Sequence, residues 1–324
     1  MRKIEYLSPS SYMLFQTDRE NFYLDRLAAA RPQRIAQTLP MSIGSAFDAY
    51  VKSHLHSCLY GEQTSGKFHF ETLFEKQVEP QNRDWAREHG KHAFKLYRQS
   101  GSLADLLADL KRAQGEIRFE DTVEGTVEGV PLLGKPDLYF TNSEGHPVIL
   151  DFKVNGWTGN SLTSPKPGYV RLRTCYEDIS LNHPVMHKNC YPQEFKGVRI
   201  NGATTLDAVA VDWATQLAIY AWLLGAEVGS DFVCAIDQLA CRGGGGKAFA
   251  EVRVAEHRLL LSKSFQVNLL DGIKETWAAL ESGHIFTNLS RAESDAKCAQ
   301  LEDRANGLAE NPALAAMVRS HKNW

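Results

Sequence analysis

Two segments decide the fold: LLGKPDLYFT at residues 132–141 and PVILDFKV at residues 147–154. Both are rich in β-branched and aromatic residues, which predicts two strands. Between them, Ser143-Glu144-Gly145 fits a three-residue turn in which Gly145 takes the left-handed conformation. The sequence therefore predicts a β-hairpin.

The hairpin places two acids and a lysine on one face. In this register Asp137 lies directly opposite Asp151, which follows it by fourteen residues. Because side chains alternate along a strand with a period of two, Lys153 shares the face of Asp151. The other face collects apolar side chains suited to a core: Leu138, Phe140, Val148, Leu150 and Phe152.

Carboxylates that converge on one point predict a site for a divalent cation. The two acids repel each other, and a hard ion such as Mg²⁺ or Mn²⁺ relieves that repulsion while accepting oxygen ligands. Such an ion lowers the pKa of a bound water and stabilises charge on a phosphoryl oxygen. Lys153 would orient that water or stabilise the transition state. The alternative is an ion pair on a solvated sheet face, but the apolar reverse face and the preceding Gly134-Lys135-Pro136 favour the metal site.

These residues resemble the PD-(D/E)XK nuclease superfamily, and most closely its RecB-like branch. Pro136-Asp137 matches the PD of the family, and Asp151-Phe152-Lys153 matches its (D/E)XK. The resemblance implies an α/β fold with a restriction-endonuclease-like core, in which helices flank a mixed central β-sheet and a helical N-terminal layer is added. It also implies hydrolysis of DNA phosphodiester bonds with one or two Mg²⁺ or Mn²⁺ ions.

A second motif supports the branch. The segment Thr205–Leu224 is predicted to be a helix that ends at Gly225. Within it, Gln216 and Tyr220 match the Gln-x-x-x-Tyr signature that follows the catalytic strand in RecB-like nucleases. The two residues lie one turn apart and share a helix face, which the resemblance places over the active site. The alternative is an ordinary amphipathic helix.

A third motif matches in part. RecB-like nucleases carry an early Gly-x-x-x-His whose histidine reaches the metal; here the predicted helix Met41–Tyr60 has Gly44 followed by Asp48 at that position. Aspartate also binds Mg²⁺, so the resemblance implies a combined set of metal ligands: Asp48, Asp137, Asp151 and the backbone carbonyl of Phe152. Without the family, Asp48 is a helix-surface acid. Its presence is equally compatible with a catalytically silent module that binds nucleic acid or protein.

A long insertion, residues 155–203, separates the catalytic strand from the Gln-Tyr helix. It combines basic and aromatic side chains, which neutralise phosphates and stack on unpaired bases. The candidate nucleic-acid-binding residues are Lys166, Tyr169, Arg171, Arg173, Lys196 and Arg199. A loop of this length is usually functional or disordered. We predict a substrate-contacting flap, with an ordinary surface excursion as the alternative.

Composition limits the other classes. The chain has 324 residues, is 43% apolar and carries a net charge of −3. This charge does not indicate a nucleic-acid binder, although a metal-dependent nuclease carries acids at its centre. No run approaches the roughly 18 apolar residues of a membrane span, and Met1–Tyr6 has no signal-peptide core. We therefore expect a chain of the bacterial or phage-infected host cytosol that acts on DNA, with a recombination or repair protein as a further partner.

Cysteine and glycine patterns argue against other cofactors. The six cysteines lack CxxC spacing, which predicts free thiols. The chain also lacks the one early and three late cysteines that hold an iron–sulfur cluster in some RecB-like nucleases, so we predict no cluster. His183, His187 and Cys190 have no evident fourth ligand for zinc. The run from Gly243 to Lys247 lacks the Ser or Thr and the helix of a phosphate-binding loop, so we predict no ATP binding.

The remaining segments are predicted to be scaffold. Helices are predicted from Ser8-Pro9 to about Ala30, near 82–99 and 103–113, and at 257–282 and 292–324, with strands at 115–120, 232–239 and 248–254. Glu116 is a further candidate acid, although an exposed strand glutamate is the simpler interpretation. We assign residues 1–290 to one nuclease domain, with a helical layer at about 80–113, and residues 291–324 to peripheral helices. The predicted function is an exonuclease of recombination, repair or phage DNA processing; the alternative is a restriction-type endonuclease.

Overall fold

The structure is a computed structural model that describes residues 2–31, 36–61, 66–156, 205–242 and 251–310, together with the backbone of two short strands at 173–174 and 187–188. The helices are α1 (Pro9–Thr17), α2 (Arg19–Phe22), α3 (Leu39–Tyr60), α4 (Phe70–Gln77), α5 (Arg83–Gln99), α6 (Ser102–Lys111), α7 (Leu206–Val209), α8 (Val211–Leu223), α9 (Lys263–Ser282) and α10 (Arg291–Glu310). The strands are β1 (Gln114–Phe119), β2 (Val123–Val127), β3 (Val130–Gly134), β4 (Leu138–Thr141), β5 (Pro147–Gly156), β6 (Arg173–Thr174), β7 (His187–Lys188), β8 (Val233–Arg242) and β9 (Glu251–Leu259).

A five-stranded mixed sheet forms the centre of the fold, in the order β1-β4-β5-β8-β9. β5 and β8 run parallel, and the other neighbours are antiparallel. Helices pack on both faces. The predicted α/β class, with a mixed sheet flanked by helices, is confirmed.

Alternate residues of β5 enter two different hydrophobic cores. Val148 and Leu150 pack with α3, α5 and α6, whereas Ile149 packs with α8 and α9. The apolar set predicted for one hairpin face belongs to the first of these cores. The opposite face is also apolar along the strand until Asp151, so the predicted polar face is confined to the last part of β5.

The β4–β5 hairpin has the predicted turn and register. Gly145 has a φ of 86°, the left-handed conformation that glycine adopts without steric penalty. Leu138 pairs with Leu150, which is the register that sets Asp137 opposite Asp151.

The first hairpin strand is shorter than predicted, because residues 132–141 are divided. β3 ends at Gly134 and pairs with β2, while β4 begins at Leu138. Pro136 explains the break, since proline has no N–H for a strand ladder and restricts the conformation of Lys135. Asp137 therefore lies at the junction between two sheets.

The predicted helix Thr205–Leu224 is also divided. Ala210 has φ −153° and ψ 86°, which separates α7 from α8. Both oxygens of Asp207 accept hydrogen bonds from Ser262, at 2.9 Å from its N–H and 2.8 Å from its hydroxyl. This long-range contact fixes the direction of α7, and Gly225 ends α8 as predicted, with φ 97°.

Two other helix boundaries were predicted wrongly. In the segment 257–282, β9 continues to Leu259 and α9 begins only at Lys263, where the Ser262 hydroxyl caps it. The N-terminal helix ends at Thr17, and Asp18 caps the short α2 that follows. A π-helical turn continues α2 and packs against α10.

Several predicted features lie partly or wholly outside the described residues. They include every side chain of the predicted flap and the glycine run at 243–246. The described cysteines, Cys58, Cys234, Cys241 and Cys298, are free thiols. Among the described helices, none combines the length and apolar character needed to cross a bilayer.

Candidate functional site

A cavity of about 350 Å³ opens beside the end of β5. Residues of α3, the last residue of α4, the β3–β4 junction and β5 line it. Four of the lining residues are ionisable: Asp48, Asp137, Asp151 and Lys153. The hairpin acids, the hairpin lysine and the early helix acid thus meet in one place, as their motifs predicted.

Asp137 joins the two hairpin strands. Its Oδ2 accepts a hydrogen bond of 2.8 Å from the Phe152 N–H, and its Oδ1 lies 2.7 Å from Lys52 Nζ. Asp137 and Asp151 both line the cavity. The hairpin register thus directs both carboxylates to one cavity, whereas the described acids whose oxygens lie within 4.8 Å of one another are Asp48, Glu120 and Asp137.

Helix α8 contributes Gln216 and Tyr220 to the same site. Lys153 forms an ion pair with Asp151 and donates a 2.7 Å hydrogen bond to Gln216 Oε1. Gln216 Nε2 donates to the Tyr220 hydroxyl at 2.9 Å and approaches Asp151 Oδ1 at 3.3 Å. The shared helix face therefore lies over the hairpin, and Gln216 connects Lys153, Asp151 and Tyr220.

A triad of carboxylates surrounds a lysine that sequence reasoning missed. One oxygen each of Asp48, Glu120 and Asp137 lies within 4.8 Å of the others, a spacing that can hold a metal ion. The ammonium of Lys52 lies among them, at 2.7 Å from Asp48 Oδ2, 2.6 Å from Glu120 Oε1 and 2.7 Å from Asp137 Oδ1. Lys52 is 1% exposed, so this is a buried, fully paired cation.

The sequence held only a weak signal for this cluster. Lys52 follows Asp48 by one helical turn, which is the spacing of an ion pair. Of the two strand glutamates, Glu116 is exposed beside Arg118, whereas Glu120 is buried. Glu120 follows the end of β1 with a left-handed φ of 48°, and that local turn directs it inward in a way that strand periodicity does not predict.

Gln77, the last residue of α4, adds a further link. Its Nε2 donates to Asp48 Oδ2 at 2.9 Å and to Glu120 Oε1 at 3.0 Å. Its Oε1 is buried and has no hydrogen-bond partner among the described residues. A buried amide oxygen of this kind requires a water or a cation as partner. Gln77 lines the cavity, so this oxygen is consistent with a hydrated ion there.

Burial and the neighbouring lysines shift the pKa values of the four acids in opposite directions. Burial raises the pKa of Asp151 to about 7 against the opposing Lys153 charge, and Asp137 adds to the rise. Burial likewise raises the pKa of Asp48 to about 7 against the opposing charge of Lys52. Burial also disfavours ionisation of Asp137 and Glu120, but the Lys52 ammonium outweighs it and holds both of their pKa values below the usual range. The donors are all oxygens, which suits a hard divalent cation.

Aromatic packing fixes the residue between the two catalytic candidates of β5. The ring of Phe152 meets Phe47 and Tyr97 edge-on, at centroid distances of 5.9 and 6.2 Å. Tyr97 in turn donates from its hydroxyl to the buried carboxylate of Asp237, which also accepts a 2.6 Å hydrogen bond from Arg258. Aromatic contacts thus connect Phe152 to the buried ion pair of Asp237 and Arg258.

The described residues leave part of the prediction untested. Lys166, Tyr169, Arg171, Lys196 and Arg199 lie outside them, and of Arg173 only the backbone is described. Their contact with nucleic acid stays a prediction.

Comparisons with known proteins identify no family. No family model matches the chain, and no curated protein matches it. Among solved structures, the chain is similar to an exonuclease candidate from Eubacterium rectale, with 16% identity, a TM-score of 0.43 and coverage of 86% of this chain and 82% of that one. A second similarity, to SSO0001, has 11% identity, a TM-score of 0.22 and coverage of 81% and 84%. At these TM-scores the similarities do not bear on function, so any functional assignment depends on the geometry of the site.

Proposed function

We propose that this chain is a metal-dependent nuclease that hydrolyses DNA phosphodiester bonds. The supporting observation is that Asp137, Asp151 and Lys153 line one cavity together with Asp48. Gln216 bridges Lys153, Asp151 and Tyr220 beside it. Acids, an ammonium and an amide in this arrangement suit an oxygen-ligated ion next to a phosphate.

The chain's own residues divide the work. The ion would be held by Asp48, Asp137, Asp151 and the backbone carbonyl of Phe152. When bound, it supplies a water of lowered pKa and neutralises charge on the phosphate. Lys153 stabilises the negative charge that grows on the phosphate oxygens. Tyr220 accepts from the Gln216 amide nitrogen, which turns the amide oxygen toward Lys153 and holds the ammonium in place.

We further infer membership of the RecB-like branch of the PD-(D/E)XK superfamily, with exonuclease action in recombination, repair or phage DNA processing. The order of the motifs along the chain supports this inference, as does their convergence on one cavity. Residues 1–290 would form the nuclease domain and residues 291–324 its peripheral helices. The partner of the site is DNA, which the insertion 155–203 would contact, and the compartment is the cytosol.

One observation favours a second candidate function. The ammonium of Lys52 lies among three carboxylates that could otherwise hold a metal. A chain that had replaced its metal by a lysine would retain the fold and a nucleic-acid surface without hydrolysis. A silent binding module is therefore the alternative.

A nuclease assay on linear and circular DNA with Mg²⁺ or Mn²⁺ separates these functions. We expect the wild type to degrade linear DNA, and Lys153→Ala to be slower by about 10²- to 10⁴-fold, the usual contribution of a positioned catalytic group. Lys274→Ala is the matched control, since Lys274 is an exposed lysine paired with Glu128 at 3.2 Å. Its cleavage rate should equal that of the wild type.

The outcomes discriminate sharply. Discrete fragments from closed circular DNA would identify an endonuclease, whereas dependence on a free end identifies an exonuclease. If the wild type leaves every substrate intact and still retards it in a gel, the binding-module alternative is correct. Equal rates for Lys153→Ala and Lys274→Ala would contradict the role given to Lys153.

A further inference from the structure

Lys52 uses its full capacity for hydrogen bonds within the triad. An ammonium has three N–H donors, and Nζ contacts three carboxylates at 2.6–2.7 Å. All three contacts are ion pairs between the ammonium and a carboxylate. The triad already has its cation.

A divalent ion in the triad and Lys52 in its present position exclude each other. A metal held by one oxygen of each triad acid would have to lie among the same three atoms that surround Nζ, because Mg²⁺–oxygen distances are only about 2.0–2.1 Å. Two positive charges cannot share that point. The triad therefore takes either the ammonium or the ion.

Burial holds the Lys52 side chain in its position. It belongs to the buried face of α3 and is 1% exposed, with the core residue Val51 before it and the core residue Leu55 three positions after it. Withdrawal would deprive Asp48 and Asp137 of their ion-pair partner, leave Glu120 with Lys135 alone, and move an ammonium into apolar surroundings, which is strongly unfavourable. The ammonium is a fixed part of the site.

The cavity offers a different position. Asp48, Asp137 and Asp151 line it, while Lys52 and Glu120 lie outside its lining and are buried. No hydrogen bond within the described residues reaches Asp48 Oδ1, whereas Oδ2 faces Lys52 and Gln77. Asp48 and Asp137 can thus contact Lys52 on one side and a second cation on the cavity side.

We propose that Lys52 replaces one metal of a two-metal site, so that the chain binds a single divalent ion, on the cavity side of Asp48, Asp137 and Asp151. The inference rests on the proposed nuclease function. Two-metal nucleases hold their ions about 3.5–4 Å apart, where they flank the attacking and leaving oxygens. In this chain the Lys52 ammonium takes one of the two positions, the one among the triad acids, and Glu120 pairs with that ammonium rather than with the ion.

Counting bound Mn²⁺ tests the proposal without reference to activity. The full chain is freed of metal with EDTA, desalted and titrated with Mn²⁺, and the free ion is measured by its EPR signal. We expect one Mn²⁺ per wild-type chain, and a dissociation constant raised more than about tenfold in Asp151→Asn. Glu120→Gln should still bind one ion. Lys52→Met, which removes the charge at similar length, should bind two.

Thermal unfolding provides the second readout. Since an ion in the emptied triad would neutralise one buried and two partly buried acids, Mn²⁺ should raise the Tm of Lys52→Met by more than it raises that of the wild type. Lys274→Met, which removes an exposed lysine, should respond as the wild type does.

The results separate the two proposals. Two ions per wild-type chain together with DNA cleavage would overturn the single-ion inference and leave the nuclease function standing. No bound ion and no cleavage would overturn both. A folded Lys52→Met that still binds one ion also overturns the inference; if this variant fails to fold, the wild-type count decides alone.

Discussion

Replacing Gly134 by alanine tests how closely the end of β3 is packed against the candidate site. A Cβ at Gly134 would lie 2.6 Å from Tyr220 Cδ1 and 2.9 Å from Leu223 Cδ1. Carbon atoms in favourable contact are about 3.5–4.0 Å apart, so the tyrosine ring would have to move by about 1 Å. Tyr220 is 7% exposed and accepts a hydrogen bond from Gln216, so its ring cannot rotate out into the solvent without losing these contacts.

Overpacking of this kind costs about 1–3 kcal/mol. We expect Gly134→Ala to lower the free energy of unfolding by that amount in urea titrations followed by tryptophan fluorescence. DNA cleavage should slow as well, because a displaced Tyr220 disturbs the Gln216 amide that holds Lys153. The matched control is Gly307→Ala in α10, where an added Cβ has no neighbour within 4 Å. Its stability should be unchanged or higher by up to about 1 kcal/mol.

A double-mutant cycle identifies the cause. In a Tyr220→Ala background the ring is gone, so most of the cost of Gly134→Ala should disappear, which gives a coupling energy of about 1 kcal/mol or more. The reasoning is refuted if Gly134→Ala unfolds within about 0.5 kcal/mol of the wild type, or if its cost is the same with and without the tyrosine ring.

Two further predictions concern buried side chains of β9 and α5, His257 and Tyr97. Burial lowers the pKa of His257 to about 3, whereas an unfolded histidine has a pKa of about 6.5; the unfolded chain therefore takes up the proton first, and stability falls as the pH drops below about 6.5. At pH 5 this loss of stability is about 2 kcal/mol, and His257→Gln should lack it. Urea unfolding of both proteins at pH 8 and pH 5 would measure the difference. An equal loss in the two proteins would contradict the assignment. Tyr97→Phe removes the hydroxyl that donates to the buried Asp237, so we expect the free energy of unfolding to fall by about 1.5–3 kcal/mol. The ring contact with Phe152 remains, so the cleavage rate should be retained. A variant as stable as the wild type, or a folded variant that no longer cleaves DNA, would count against this interpretation.

The parts of the site that are local in sequence could be predicted. The hairpin register follows from Gly145 and from the period-two apolar pattern, and these bring Asp137 and Asp151 together. The one-turn spacing of Gln216 and Tyr220 suffices to put both on one helix face. In each case a single element determines which side chains are neighbours.

The parts that depend on contacts between distant segments could not. The sequence around Lys52 indicates an ordinary helix lysine, because its partners Glu120 and Asp137 belong to distant segments of the chain. The break at Ala210 likewise depends on Asp207 binding Ser262. His257 and Arg258 extend β9 because they pair with β8, and nothing in their own neighbourhood signals a strand. Propensity gives way to tertiary contacts at each of these positions.

The parallel pairing of β5 with β8 has a consequence for how the chain folds. The β4–β5 hairpin closes over a short turn, whereas β8 reaches β5 only after the whole intervening segment has been synthesised. Until then one edge of β5 is unpaired, and an apolar strand edge is a template for aggregation. Asp151 and Lys153 lie on that edge beside Val148, Ile149 and Leu150. We therefore expect the same charges to keep nascent chains apart before they have any substrate to bind.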